Sequence, residues 1–204
     1  MAKRSYSMQH RAALEAQTRE RIVHATVELH AQHGVLGTTH AMIAKRAEVA
    51  PQTVYNHFPA LGVLLGACTG HVLDRAPPVG VDSFRAGRSP AARLRLLADA
   101  VYARHAYLAP WMRISWYEAA VIPELGALMA HSNTELRQLV AAAAALEGEP
   151  AAAFVDAACV LLDYPAWKEL TRSRSSPKAA RIAGDCLAEL LPRLTQPQDE
   201  KGNS

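Results

Sequence analysis

Between Gly34 and Leu65 the sequence runs GVLGTTHAMIAKRAEVAPQTVYNHFPALGVLL. It reads as two short segments with helical apolar spacing, parted by a turn of about four residues. Neither segment could stand alone, because isolated helices shorter than ~12 residues are marginal in water. They persist only by crossing one another through small and apolar side chains. Ile43, Ala44 and Ala47 face inward on the first segment, Val49 plugs the turn, and Val54 and Phe58 face inward on the second. Thr38 and Thr39 can cap the first helix, which runs to about Ala47. Pro51 suits the first position of the second, which ends near Phe58.

The rest of the chain is compatible with the same fold class. No run alternates polar and β-branched residues as a strand would, and alanine is abundant throughout. Proline and glycine divide the chain into helices expected at 11–33, 39–47, 51–58, 60–75, 91–108, 111–119, 123–146, 150–171 and 177–191. Pro110 separates two of them, and Pro165 falls inside the one at 150–171, where it should bend the helix. The predicted class is all-α with about nine helices. A three-helix helix-turn-helix domain with a basic N-terminal arm occupies residues 1–60. A larger helical domain follows at 61–195, and a polar, disordered tail at 196–204.

Charge is unevenly spread. Net charge is +3, and residues 1–60 hold seven Lys/Arg against four acids. The remaining residues balance, with 15 of each sign. All the excess positive charge therefore sits in the N-terminal third, which suits a polyanionic partner such as nucleic acid. The polar residues exposed by the second short helix would be Gln52, Thr53, Tyr55, Asn56 and His57. Gln and Asn can each bond adenine through two hydrogen bonds in the major groove, and Thr can meet a thymine methyl or a phosphate.

The segment resembles the DNA-binding domain of TetR-type transcriptional regulators. The likeness rests on Gly34, Thr38-Thr39, Ile43-Ala44, Ala47, Val49, Thr53-Val54-Tyr55, Phe58 and Leu64-Leu65, in register and without a gap. It implies that Gln52, Thr53 and Asn56 contact base edges, and that Thr39, Lys45, Tyr55 and His57 contact phosphates. Three positions depart from the family pattern. Glu48 stands where glycine is frequent, Ala50 where serine caps the recognition helix, and Leu61 where a lysine often reaches phosphate.

Five of the chain's twelve aromatic residues, Tyr102, Tyr107, Trp111, Trp116 and Tyr117, fall within a short span around Pro110. Small-molecule sites are largely apolar with a few orienting polar groups. The candidate ligand-binding residues are Tyr102, His105, Trp111, Trp116, Tyr117, Phe154, Asp163 and Trp167. The alternative is that these aromatics only fill the core of an alanine-rich bundle. The helices at 150–171 and 177–191 are rich in alanine and leucine, and the resemblance implies that they pair with a second copy to form a homodimer.

The sequence offers no phosphate-cradling GxxxxGK[ST], no GxSxG elbow and no HExxH, and no nucleophile-base set. Catalytic residues, metal ligands and cofactors are therefore expected to be none. His24, His30 and His33 read as a helix face rather than a metal site. The three cysteines, Cys68, Cys159 and Cys186, have no ligand spacing and read as small buried hydrophobes. With no membrane span and no leader pattern, the chain is expected to be cytoplasmic. The reading that results is a ligand-responsive, dimeric DNA-binding regulator. It would bind a near-palindromic operator, act as a repressor, and be released by a small apolar or aromatic effector. The alternative is a helical small-molecule-binding protein or enzyme with a vestigial DNA-binding module.

Overall fold

The computed structural model describes residues 2–145 and 150–195. The tail expected at 196–204, and Gly148 as a helix boundary, lie outside them. The elements are α1 (Ala2–His33), α2 (His40–Ala47), α3 (Pro51–His57), α4 (Leu61–Leu73), α5 (Pro90–Glu118), α6 (Pro123–Ala144), α7 (Ala152–Leu162), α8 (Tyr164–Leu170) and α9 (Ser176–Thr195). A single 3-10 turn lies at Val81–Ser83, and there is no strand among the described residues. The all-α class agrees with the sequence pattern, and so does the number of nine α-helices among the described residues, though the helix boundaries around Pro110 and Pro165 differ from those expected. No described helix is long and apolar enough to cross a membrane.

The chain divides into two compact units, residues 1–76 with 110–128, and residues 77–109 with 129–204. Helices α5 and α6 each give residues to both.

In the first unit, α1 starts at Ala2 rather than near Arg11, so the expected arm is part of that helix. Ile22, Val23, Thr26, Ile43, Ala44, Val54, Phe58, Leu64 and Leu65 are buried, which is the crossing the sequence requires. The Thr26 hydroxyl is satisfied by the Ile22 carbonyl at 2.7 Å. Thr39 caps α2, its hydroxyl oxygen accepting from the Met42 amide at 3.2 Å. Ala50 gives α3 no side-chain cap, and Pro51 occupies the first turn instead.

Glu48 closes α2 in the left-handed conformation, with φ 55°. A residue with a Cβ meets a steric cost there that glycine does not. Glu48→Gly should stabilise the first unit by about 1 kcal/mol. Paired denaturant melts would read this, and an unchanged or lowered midpoint would refute it.

The second unit is built on Leu94, Leu97, Tyr102, Val140, Phe154, Ala158, Leu162, Ala183 and Leu187, all fully buried. Small residues let α9 approach α5 closely: a Cβ added at Gly184 would lie 2.9 Å from the Arg95 Cα. Arg95 and Asp185 bridge the same two helices at 2.7 Å. Arg93 donates to the carbonyls of Ala143 (2.8 Å) and Ala145, closing the end of α6.

The prolines act differently from expectation. Pro110 does not divide two helices; α5 runs through it from Pro90 to Glu118. An interior proline costs ~3 kcal/mol or more. The stretch beyond it is held by side-chain bonds to the backbone around α1: Trp111 Nε1 to the Val27 carbonyl at 2.9 Å, and Arg113 Nη2 to the Ala31 carbonyl at 2.7 Å. Pro165, by contrast, breaks the helix expected at 150–171. Asp163 is extended between α7 and α8, and Pro165 sits in the first turn of α8, where its missing N–H is no loss. At the other end of the chain α9 passes through Pro192 to Thr195, beyond the expected limit.

Candidate nucleic-acid interface and effector site

The short helix α3 exposes Gln52, Tyr55 and Asn56, and leaves Thr53 and His57 half-buried. Val54, the one fully buried residue of α3, and Phe58 at its end anchor it from beneath. The Arg19 guanidinium of α1 lies 5.0 Å from the Phe58 ring centroid. Gln52 Nε2 donates to Asn56 Oδ1 at 3.0 Å across one turn, so the two amides form a unit. That unit keeps Gln52 Oε1 as an acceptor, and the Asn56 Nδ2 hydrogens and the second Gln52 Nε2 hydrogen as donors.

Tyr55 is not packed away. It is 49% exposed and stacks on His40 of α2, with ring centroids 4.2 Å apart and planes 7° from parallel. His40 was missed in the sequence because nothing in its spacing shows that α2 and α3 bring it against Tyr55. Thr39 and Lys45 are exposed on α2. Thr39 still has its hydroxyl hydrogen to donate after accepting from Met42. Leu61, at the start of α4, is 39% exposed and offers no charge there.

The aromatic candidates fall in both units. Trp111, Trp116 and Tyr117 belong to the first, where Trp111 is tied to Val27 and Tyr117 is 65% exposed. Tyr102, His105, Phe154, Asp163 and Trp167 belong to the second. Phe154 is core. Asp163 caps α8, its Oδ1 accepting from the Tyr164 amide at 2.8 Å, and burial raises its pKa despite that bond.

Around the α7–α8 break, Tyr102, His105, Tyr164 and Trp167 form an aromatic cluster. His105 lies 6.2 Å from Tyr102, 5.8 Å from Tyr164 and 6.2 Å from Trp167 between ring centroids. In a continuous helix the Leu161 carbonyl would pair with the N–H of residue 165, which proline lacks. Here the Tyr102 hydroxyl donates to that carbonyl at 2.8 Å, and His105 Nε2 meets the Leu162 carbonyl at 2.9 Å. Trp167 Nε1 donates to Ser176 Oγ at 2.9 Å, and Ser176 donates to the Tyr102 carbonyl at 3.1 Å.

One acidic residue was not foreseen. Glu118, buried at the end of α5, accepts from the Val35 amide at 2.8 Å through Oε2 and from the Leu36 amide at 3.0 Å through Oε1. These successive amides follow Gly34, whose φ is +74°, and make the kind of concavity that holds an anion.

Among the described residues no group of three His, Cys, Asp or Glu is placed to hold a metal. His30 is buried while His33 is exposed. Cys68 and Cys159 are buried, and burial pushes the Cys68 thiol up to about 12. Cys186 is exposed, against the expectation for it.

A helix-turn-helix whose second helix is exposed and polar defines a DNA-binding class. Residues 22–67 match the family described as bacterial regulatory proteins, tetR family. The helix-turn-helix segment is therefore similar to the DNA-binding part of that family. No curated protein matches its sequence. Among solved structures it is similar to a transcriptional regulator from Rhodococcus sp. Rha1, with 19% identity, 86% of this chain and 96% of that one covered, and a TM-score of 0.64. A TetR transcription regulator from Haloarcula marismortui aligns with 18% identity over 89% and 100% of the two chains, at a TM-score of 0.62. The multidrug binding protein EbrR, complexed with imidazole, aligns with 19% identity over 90% and 92%, at a TM-score of 0.59. At these identities the likeness is one of fold.

Proposed function

We propose that this chain is a cytoplasmic, homodimeric transcriptional repressor that leaves a near-palindromic operator when a small apolar or aromatic effector binds its second unit. The observation that carries the reading is the surface of α3. Gln52, Tyr55 and Asn56 are exposed together on the family-matched segment, beside exposed Thr39 and Lys45. The Gln52–Asn56 pair presents the acceptor and donor that adenine requires in the major groove. Tyr55, Thr39, Lys45 and His57 serve the phosphates, and Thr53 reaches a base edge.

Pairing through α7 and α9 is supported by apolar side chains left in solvent on both helices, Val160 at 70% and Ile182 at 37% exposure. A two-fold dimer carries two recognition helices and so calls for a symmetric site. The effector reading draws on the aromatic cluster of the second unit, and on the ligand held by the EbrR structure. Coupling requires that the effector bind one of two states better than the other. Helix α5, which gives residues to both units and ends in Glu118, is the element best suited to carry it.

Footprinting of the purified protein on the DNA flanking its own gene tests the reading. A protected near-palindrome that is lost on adding effector is the expected result. Absence of sequence-dependent, salt-sensitive binding would refute it and favour a small-molecule protein with a vestigial module. Gln52→Ala should lose ~1–3 kcal/mol against one base pair of each half-site. A series of operator base substitutions reads this. A uniform loss across the series would make Gln52 a backbone contact instead.

A further inference from the structure

The His105 ring carries a buried polar atom that nothing satisfies. The Leu162 carbonyl can only accept, so Nε2 holds the ring hydrogen in that bond, and Nδ1 is left with its lone pair. Nδ1 is buried and has no hydrogen-bond partner. Burial lowers the pKa of His105, more than the bond to the Leu162 carbonyl raises it, and the neighbouring Arg104 charge lowers it further, which favours the neutral ring with Nδ1 as an acceptor. The donors of Tyr102, Trp167 and Ser176 are already committed to the Leu161 carbonyl, Ser176 and the Tyr102 carbonyl. None of these can turn to Nδ1 without orphaning another group.

Leaving an acceptor buried and unpaired is unfavourable, so an atom of this kind calls for an explanation. We infer that His105 Nδ1 is the fixed acceptor of the effector site, and that the effector is a neutral phenol whose hydroxyl donates to it among Tyr102, Tyr164 and Trp167. The aromatic surroundings suit a flat apolar body: Tyr164 and Trp167 stack with centroids 5.3 Å apart, and His105 meets Tyr164 edge-on. A cationic donor is disfavoured by Arg104. An ether or hydrocarbon of the same shape brings no donor and leaves Nδ1 unsatisfied. The assignment rests on reading the chain as effector-responsive, and it adds the chemistry of the effector and the atom that recognises it.

The test uses the full-length protein and two probes of nearly equal shape, 4-methylphenol and its methyl ether, by titration calorimetry. The phenol should bind at least about tenfold more tightly, and His105→Phe should bring the two affinities together. In wild-type protein carrying nitrogen-15 histidine, the Nδ1 resonance should begin at the position of an unbonded nitrogen and move upfield when the phenol is added. This second measurement needs no variant and so survives a folding failure of His105→Phe. Equal affinity of the two probes, absence of phenol binding, or discrimination that persists in His105→Phe would overturn the proposal. So would an Nδ1 signal already hydrogen-bonded before any probe is added, which would assign the atom to a resident water. Phenol binding at Nδ1 without release of the operator would uphold the site while sinking the repressor reading. Release by a molecule lacking a donor, with His105 uninvolved, would do the reverse.

Discussion

Gly34→Ala should destabilise the first unit by about 3–4 kcal/mol. Three causes converge on that position. Its φ of +74° is one that a residue with a Cβ adopts only at ~1 kcal/mol. The added Cβ would lie 2.4 Å from Glu118 Oε1 and 2.5 Å from Ile114 Cγ2, contacts that real atoms do not make. Overpacking of this kind costs typically ~1–3 kcal/mol. If Glu118 gives way, the Val35 and Leu36 amides lose their acceptor, at about 1 kcal/mol or more for each buried donor left unpaired. These costs are alternatives in part, so their sum is not the expectation. Urea melts of wild type, Gly34→Ala, Glu118→Ala and the double variant would separate them. The double variant should be less destabilised than the sum of the singles, because removing the Glu118 side chain removes the closest clash. A loss below about 1 kcal/mol for Gly34→Ala, or strict additivity, would mean that α5 does not seat against this turn as described.

Sequence reading was sharpest where spacing alone decides structure. The burial of Ile43, Ala44, Ala47, Val54 and Phe58 followed from two helices too short to survive unless they cross. The Thr39 cap and the Pro51 start are local rules of the same kind. Long-range partners were not legible. Glu118 lies far along the chain from the amides it binds, and no periodicity links a carboxylate on one helix to a turn after another. His40 against Tyr55 and Arg93 on the end of α6 were hidden for the same reason.

The two prolines show how context overrides a local rule. Both break the helical hydrogen-bond ladder by the same chemistry. Beyond Pro110 the chain is pinned by Trp111, Arg113 and Glu118, and the helix continues. At Pro165 the carbonyl left without an amide is taken by Tyr102, and Asp163 supplies a fresh cap, so the helix restarts. The break that the sequence could only describe as a bend is what draws His105 and Tyr102 to the end of α7. The aromatic candidates were thus recognisable by type, while their division between the two units depended on packing that no spacing encodes.

Acid should weaken the first unit through His30, by up to roughly 3 kcal/mol between pH 6.5 and pH 4. His30 is 6% exposed, and burial lowers its pKa to about 4, although the Glu118 charge pulls the other way. In the unfolded chain the same ring titrates near 6.5. Above pH 6.5 neither state is protonated and His30 exerts no pH dependence. As pH falls below 6.5 the unfolded chain takes up a proton that the folded one still refuses, so the balance moves toward unfolding until about pH 4. The gap between these values, at about 1.4 kcal/mol per pH unit, sets the ceiling. His30→Gln removes the titration while keeping a polar side chain of similar reach. Relative to that variant, wild type should lose stability progressively from pH 6.5 downward in urea melts, with no change in their difference between pH 7 and pH 8. Parallel curves from pH 7 to pH 4 would show that the folded protein admits the proton, and that His30 is not shut away beside Glu118. Because the His30 carbonyl accepts from the Gly34 amide at 3.0 Å, the acid response and the Gly34→Ala defect arise at one joint, the turn that leads into the DNA-binding helices.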